Sequence, residues 1–217
     1  MSPGDARGGG TPAALHERDV ETFERCIAVG GVALFPADTV YGLATEPDSR
    51  EGLMRLARLK GRSQRKPSAV MFFQLELALE ALPELGPRTR GALERLLPGG
   101  LTLLVPNPAR RYPLACGPVP ERLGVRVPAL SGPLAALSQA RWPVLQSSAN
   151  PAGGPDARRL DQVSDRIRRG VDLVLDGGEL PGTPSTVVDL TRYEQDGAFE
   201  VLREGAVRRD ALAAVLG

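Results

Sequence analysis

Phe35-Pro36-Ala37-Asp38-Thr39-Val40-Tyr41-Gly42-Leu43, entered from Val32-Ala33-Leu34, is the stretch on which the fold turns. The apolar run Val32 to Phe35 predicts a short buried strand, and Pro36, with no N–H to give to a ladder, predicts its end. An acid, two hydroxyls and a glycine follow at once. They are expected at the sheet's edge, with Tyr41 and Gly42 shaping a turn and Asp38 bracing the loop rather than carrying a proton.

Working outward, Val20, Phe23 and Ile27 fall at helical spacing before the stop at Gly30-Gly31, so a helix precedes the strand. Residues 1–14, rich in Gly, Pro and Ala, read as a flexible tail, and 15–217 as one catalytic domain. Downstream, Asp48 and Glu51 have the spacing of a capping box for a helix over 49–59, after which comes Lys60-Gly61-Arg62. Strands are expected at 69–73, 101–105, 123–127, 144–147, 171–175, 186–190 and 199–202. Helical segments fall at 75–82, 88–97, 133–140, around Val163 and Ile167, and at 211–216. The proline-dense stretch 106–120 reads as a long surface loop of the kind that carries function. This alternation predicts an α/β domain with a mixed sheet.

Composition narrows the function. The 217 residues carry a formal net charge of +1 with 42% hydrophobic and 24% charged residues, so any nucleic-acid contact must come from a local patch. The two cysteines, Cys26 and Cys116, form no C-x-x-C pair and read as free thiols. With no signal-like or membrane-spanning run, the expected location is the cytoplasm. Of 27 basic residues only Lys60 and Lys66 are lysines, a bias that singles out two positions where a compact ammonium is wanted instead of a guanidinium.

Polar motifs cluster just past apolar segments, where α/β folds collect ligands. They are Asp38-Thr39-Val40-Tyr41, Lys60-Gly61-Arg62 with Lys66, Arg126, Ser147-Ser148-Ala149-Asn150, Ser185-Thr186 and Arg203-Glu204-Gly205. Each alone is also what an ordinary turn or cap looks like. Together they offer cations for an anionic ligand and hydroxyls and amides to orient it. The single His16 makes a Ser-His or Cys-His nucleophile system a poor fit, no His/Cys cluster has zinc spacing, and neither phosphate-binding glycine motif is present. What is left is catalysis by positioning and charge neutralisation.

These motifs, with Pro98-Gly99-Gly100-Leu101-Thr102, Val125-Arg126-Val127-Pro128 and Ser185-Thr186-Val187-Val188-Asp189, resemble in the same order the YrdC family of L-threonylcarbamoyl-AMP synthases, in its short, single-domain form. The resemblance implies a strongly twisted mixed sheet with flanking helices enclosing a large basic cavity. It implies an enzyme that makes threonylcarbamoyl-AMP and pyrophosphate from L-threonine, bicarbonate and ATP, with Mg²⁺ carried in on ATP and no dedicated metal ligands. A tRNA threonylcarbamoyl transferase would take the product. By matched position, Thr39, Arg126, Ser148 and Ser185 would meet threonine. Lys60, Arg62, Lys66, Arg122, Asn150, Arg158 and Arg203 would meet ATP, with Lys60 and Arg62 as the catalytic pair. Ala37 and Ala152 each lack a hydroxyl usual in the family, and Met71 stands where some relatives have histidine near threonine. Two other readings stay open: a double-stranded RNA or tRNA-binding module using Arg158-Arg159 and Arg166 to Arg169, and a carbamoyl-adenylate-forming enzyme with another acceptor.

Overall fold

The computed structural model describes residues 14–217, so the tail expected over 1–14 lies, except for Ala14, outside the described residues. Helix α1 (Glu17–Ala28) is capped by His16, whose amide donates to Asp19 Oδ2 at 2.8 Å. It buries Val20, Phe23 and Ile27. The Phe23 ring centroid lies 5.3 Å from that of Phe35 in a tilted pair and 5.6 Å from that of Phe73 in an edge-to-face pair, each contributing on the order of 1 kcal/mol beyond its buried area.

Strand β1 (Ala33–Pro36) leads through a tight turn into β2 (Tyr41–Thr45), and this departs from the expected sheet edge. Phe35 pairs with Gly42 and Pro36 with Tyr41 in an antiparallel hairpin, and β2 in turn pairs with β6 (Val144–Ser148), so the segment lies inside the sheet. The turn belongs to Ala37–Val40, and Tyr41 and Gly42 are strand residues. Helix α2 (Arg50–Lys60) is capped one residue later than the Asp48 spacing predicts, by Ser49, whose Oγ accepts from the Gly52 amide at 3.0 Å. Gly61, at φ 62°, closes the helix in the left-handed conformation, and so places Lys60 on the last turn.

The remaining elements follow in order. They are β3 (Ala69–Met71), α3 (Leu75–Ala81), α4 (Pro87–Leu96), β4 (Leu101–Pro106), α5 (Pro113–Cys116), β5 (Arg122–Arg126), a 3₁₀ segment Gly132–Gln139 and β6 (Val144–Ser148). A second 3₁₀ turn, Leu160–Gln162, precedes α6 (Asp165–Gly170) and β7 (Leu173–Val174), then β8 (Thr186–Asp189), α7 (Tyr193–Asp196), β9 (Glu200–Arg203) and α8 (Arg209–Leu216). The strands form one sheet in the order β7-β1-β2-β6-β3-β5-β4-β8-β9. Pairs β1/β7, β3/β5 and β4/β8 are parallel and the rest antiparallel, which makes the sheet mixed.

Period-two alternation places the site. On β4, Leu101, Leu103 and Val105 enter the core while Thr102 and Leu104 turn to the other face. On β5, Leu123 and Val125 do the same, leaving Arg122, Gly124 and Arg126 opposite. The face carrying the polar and small residues stays open as a cavity. Its rim includes the 106–120 stretch, which is more anchored than an unperiodic loop suggests. Buried Asn107 donates from Nδ2 to the carbonyls of Arg111 and Pro120, both at 2.9 Å, and accepts from the Arg111 amide at 2.9 Å. Ala115 and Cys116 are thereby buried against the cavity wall.

Candidate active site

A cavity of about 500 Å³ collects side chains from six strands or strand ends, the ends of α2 and α5, and two loops. At one end stands Arg126, on the last position of β5 and 4% exposed. Its Nη2 donates to Asp38 Oδ1 at 2.8 Å and to Thr39 Oγ1 at 3.2 Å, and its Nη1 faces Gln146 Oε1 at 3.4 Å. Asp38 Oδ2 also accepts from the Ala129 amide at 3.2 Å, so Asp38 is the brace expected of it. Burial pushes the Asp38 carboxyl up, against the opposing pull of the Arg126 guanidinium and the Ala129 amide. A carboxylate facing a buried guanidinium and an amide donor is suited to fixing Arg126 in place. Beside this pair, Ser185 Oγ lies 2.8 Å from Thr102 Oγ1, and Arg203 Nη2 donates to the Ser185 carbonyl at 2.7 Å.

The other end is cationic. Lys60 is 4% exposed, and its ammonium donates to the carbonyls of Ser148 and, at 2.7 Å, Asn150, and to Asn150 Oδ1 at 3.0 Å. Its protons are engaged by the last residue of β6 and by the loop that follows it. Desolvation, reinforced by the nearby Arg62 charge, lowers the ammonium to about 8 from the usual 10.5. Ser148 Oγ and Asn150 Oδ1 are themselves within hydrogen-bond reach, at 2.5 Å, and Asn150 Nδ2 reaches the Gly154 carbonyl. Arg62 donates from Nη2 to Ser68 Oγ, while its buried Nε finds no protein acceptor. Lys66, Arg122 and the carboxylate of Asp156 complete the lining.

Most of the residues singled out in the sequence are therefore gathered in one place: Lys60, Arg62, Lys66, Arg122, Arg126, Ser148, Asn150, Ser185 and Arg203 line the cavity, and buried Thr39 backs it through Arg126. Arg158 is different. Its guanidinium pairs with Glu179 and its stem packs over Gly182, so it stands outside the lining. Met71 is fully buried in the core, Ala37 likewise, and only Ala152 of the three family departures touches the cavity. Gln146, Thr102 and Asp156 also line the cavity and were not proposed as site residues from the sequence. The first two sit inside runs that read as plain strand. A polar residue at the period-two position shared with Ser148 was the available signal for Gln146.

Residues 25–205 match a sequence-family model for the Sua5, YciO and YrdC proteins, described as "Telomere recombination". The threonylcarbamoyl-AMP synthase of Pseudomonas aeruginosa is 35% identical over 175 residues, covering 76% of this chain and 89% of that protein. That of Pyrococcus abyssi is 29% identical over 195 residues, and the chain, with 88% of its own length aligned, spans only 55% of it. Among solved structures, Pyrococcus abyssi Sua5 complexed with L-threonine superposes with a TM-score of 0.79 at 26% identity, over 94% of this chain and 58% of that one. Escherichia coli YciO, at a TM-score of 0.75 and 23% identity over 93% and 96% of the two chains, shares the fold. With a family model matching most of its length and the family's motifs brought together around one cavity, the chain belongs to the Sua5/YciO/YrdC family.

Proposed function

We infer that the protein is an L-threonylcarbamoyladenylate synthase, joining L-threonine, bicarbonate and ATP with release of pyrophosphate for the modification of tRNA. The observation that supports this most is the division of one cavity into a hydroxyl and guanidinium end (Thr102, Arg126, Ser185) and a cationic end (Lys60, Arg62, Lys66). The first suits a hydroxy amino acid, the second a triphosphate.

The threonine amine combines with bicarbonate, with loss of water, to give a carbamate, whose oxygen attacks the α-phosphorus of ATP as the bond to pyrophosphate breaks. The chain's part is to hold the two reactants in line and to meet the charge that grows on the leaving group. Arg62 and Lys66 face the cavity with donors to spare. Lys60 supplies charge from within the wall, and by its three hydrogen bonds fixes the Ser148 to Asn150 loop between the two ends. Mg²⁺ would arrive on the triphosphate, since a cavity with the single carboxylate of Asp156 among its lining suits a metal held chiefly by phosphate oxygens. There it would neutralise phosphate charge. The adenylate would then pass to a tRNA threonylcarbamoyl transferase.

Mass spectrometry of the products formed from ATP, bicarbonate and a panel of amino acids tests the reading. A threonine-dependent adenylate is expected, and an adenylate formed equally well without an amino acid would replace threonine by another acceptor. Lys60→Ala is expected to lower threonine- and bicarbonate-dependent pyrophosphate release at least ~100-fold with the circular dichroism spectrum retained. Full activity in that variant would remove Lys60 from the machinery.

A further inference from the structure

Gln146 sits in the middle of β6 with neighbours that leave it standing alone. It is in register with Ala44 of β2 and Ala69 of β3, and Ala69 is in register with Gly124 of β5. This row of small residues puts no bulk beside the amide, so Gln146 lines the cavity although it is only 4% exposed. Its Oε1 faces Arg126 Nη1 at 3.4 Å, which orients the amide. Nε2 then points over Gly42, where a β-carbon would come within 2.8 Å of it. No acceptor among the described residues meets these N–H groups.

Arg126, meanwhile, has limited capacity for a ligand. Its Nη2 is held by Asp38 and Thr39, and the Asp38 carboxylate already offsets its charge. A substrate carboxylate at this end needs a further donor, and the amide of Gln146, whose Oε1 faces Arg126 Nη1, carries one in Nε2. We propose that Gln146 is a specificity-determining residue which, together with Arg126 Nη1, donates to the carboxylate of the amino-acid substrate. A β-carbon at position 42 would meet both this amide and the buried Phe35 ring, whose Cε1 would lie 3.0 Å away, so glycine there leaves room for both. The inference rests on the amino-acid end assigned above and adds a residue to it.

The test is calorimetric binding and steady-state kinetics with Gln146→Leu, Gln146→Met and Gln146→Glu, using threonine and threoninamide as paired ligands. Loss of a hydrogen bond to a charged group is expected to raise the KM and Kd for threonine roughly 10- to 100-fold. The KM for ATP, bound at the other end, should move less than about threefold, which also reports that the fold is intact. Gln146→Glu should be the weakest threonine binder, because it sets a carboxylate against a carboxylate. The preference of the unaltered protein for threonine over threoninamide should shrink in Gln146→Leu and Gln146→Met. A preference that is the same in all variants overturns the proposal, as does threonine binding unchanged in Gln146→Leu. If the unaltered protein binds no threonine at all, the functional assignment fails and the inference with it, an outcome that the variants are not needed to detect.

Discussion

At the residue scale the two buried cations of the cavity solve different problems. Arg126 faces an acid, and removing that acid leaves an uncompensated guanidinium with both side chains at or below 5% exposure. Asp38→Asn is therefore expected to cost about 3 kcal/mol in urea denaturation, the scale of a broken buried pair. A loss under ~1 kcal/mol would mean that water reaches Arg126. Lys60 faces carbonyl oxygens, which satisfy its protons without cancelling its charge, and its ammonium is lowered to about 8. The unfolded chain, with an ordinary lysine, holds this proton more tightly. Between about pH 8 and the ordinary 10.5 it is the unfolded state that carries more protons, so the Lys60 contribution to stability rises with pH across that window. Nuclear magnetic resonance titration of the Lys60 side chain should show a midpoint near 8, and a midpoint at the ordinary lysine value would place the ammonium in bulk water.

At the element scale, α2 and β2 are held closer than helix propensity alone would favour. Gly52 lies in the first turn of α2 and is buried, and a β-carbon there would run into the Thr45 hydroxyl and come within 3.1 Å of Ser49 Oγ. In an exposed helix, Gly→Ala gains on the order of 1 kcal/mol. Here Gly52→Ala is expected to lose about 1–3 kcal/mol instead, read as a lower Tm, because the helix must back away from the strand. An unchanged or higher Tm would show that the packing can relax. The same contact bears on the site, since α2 carries Lys60 at its other end. Tyr41 ties β2 to a second loop, its hydroxyl donating to Asp176 Oδ1 at 2.8 Å and accepting from the Gly177 amide at 3.1 Å, and burial pushes that hydroxyl up.

At the scale of the whole molecule, charge is distributed in local pairs. Arg159 pairs with Asp161 at 3.0 Å, Arg168 and Arg169 both pair with Asp165, and Arg166 donates to the Arg58 carbonyl. The pairs to Asp161 and Asp165 lower the positive field that this stretch presents to a phosphate backbone, although Asp165 answers two arginines and Arg166 meets only a carbonyl. Duplex RNA is accordingly expected to bind weakly, with a slope of log K against log salt no steeper than about 2, measured by fluorescence anisotropy without ATP. A steep slope would favour the RNA-binding reading. Among the described residues no helix is long and apolar enough to cross a membrane.

Much of this architecture is local and was legible in the chain itself. Helix α1 follows from the spacing of Val20, Phe23 and Ile27, α2 to within one residue at each end, and the polar clusters from their position after apolar runs. Their order along the chain also carries the resemblance to the family. Pairing partners are another matter, because backbone hydrogen bonds between strands distant in sequence leave no local trace. Tyr41 and Gly42 look like a turn until β6 is laid beside them, and Asp48 looks like a cap until the Ser49 hydroxyl is seen to reach the Gly52 amide. Arg158 belongs to a basic motif by spacing and to Glu179 in space. Residue types and their order thus determined that the protein has a cation-rich polar site on an α/β sheet. Only the tertiary structure decided that Lys60 turns its protons into the wall, that Asp38 holds Arg126, and that Gln146 lines the cavity beside Arg126, since each depends on which long-range neighbours desolvate the group and which partners they bring to it.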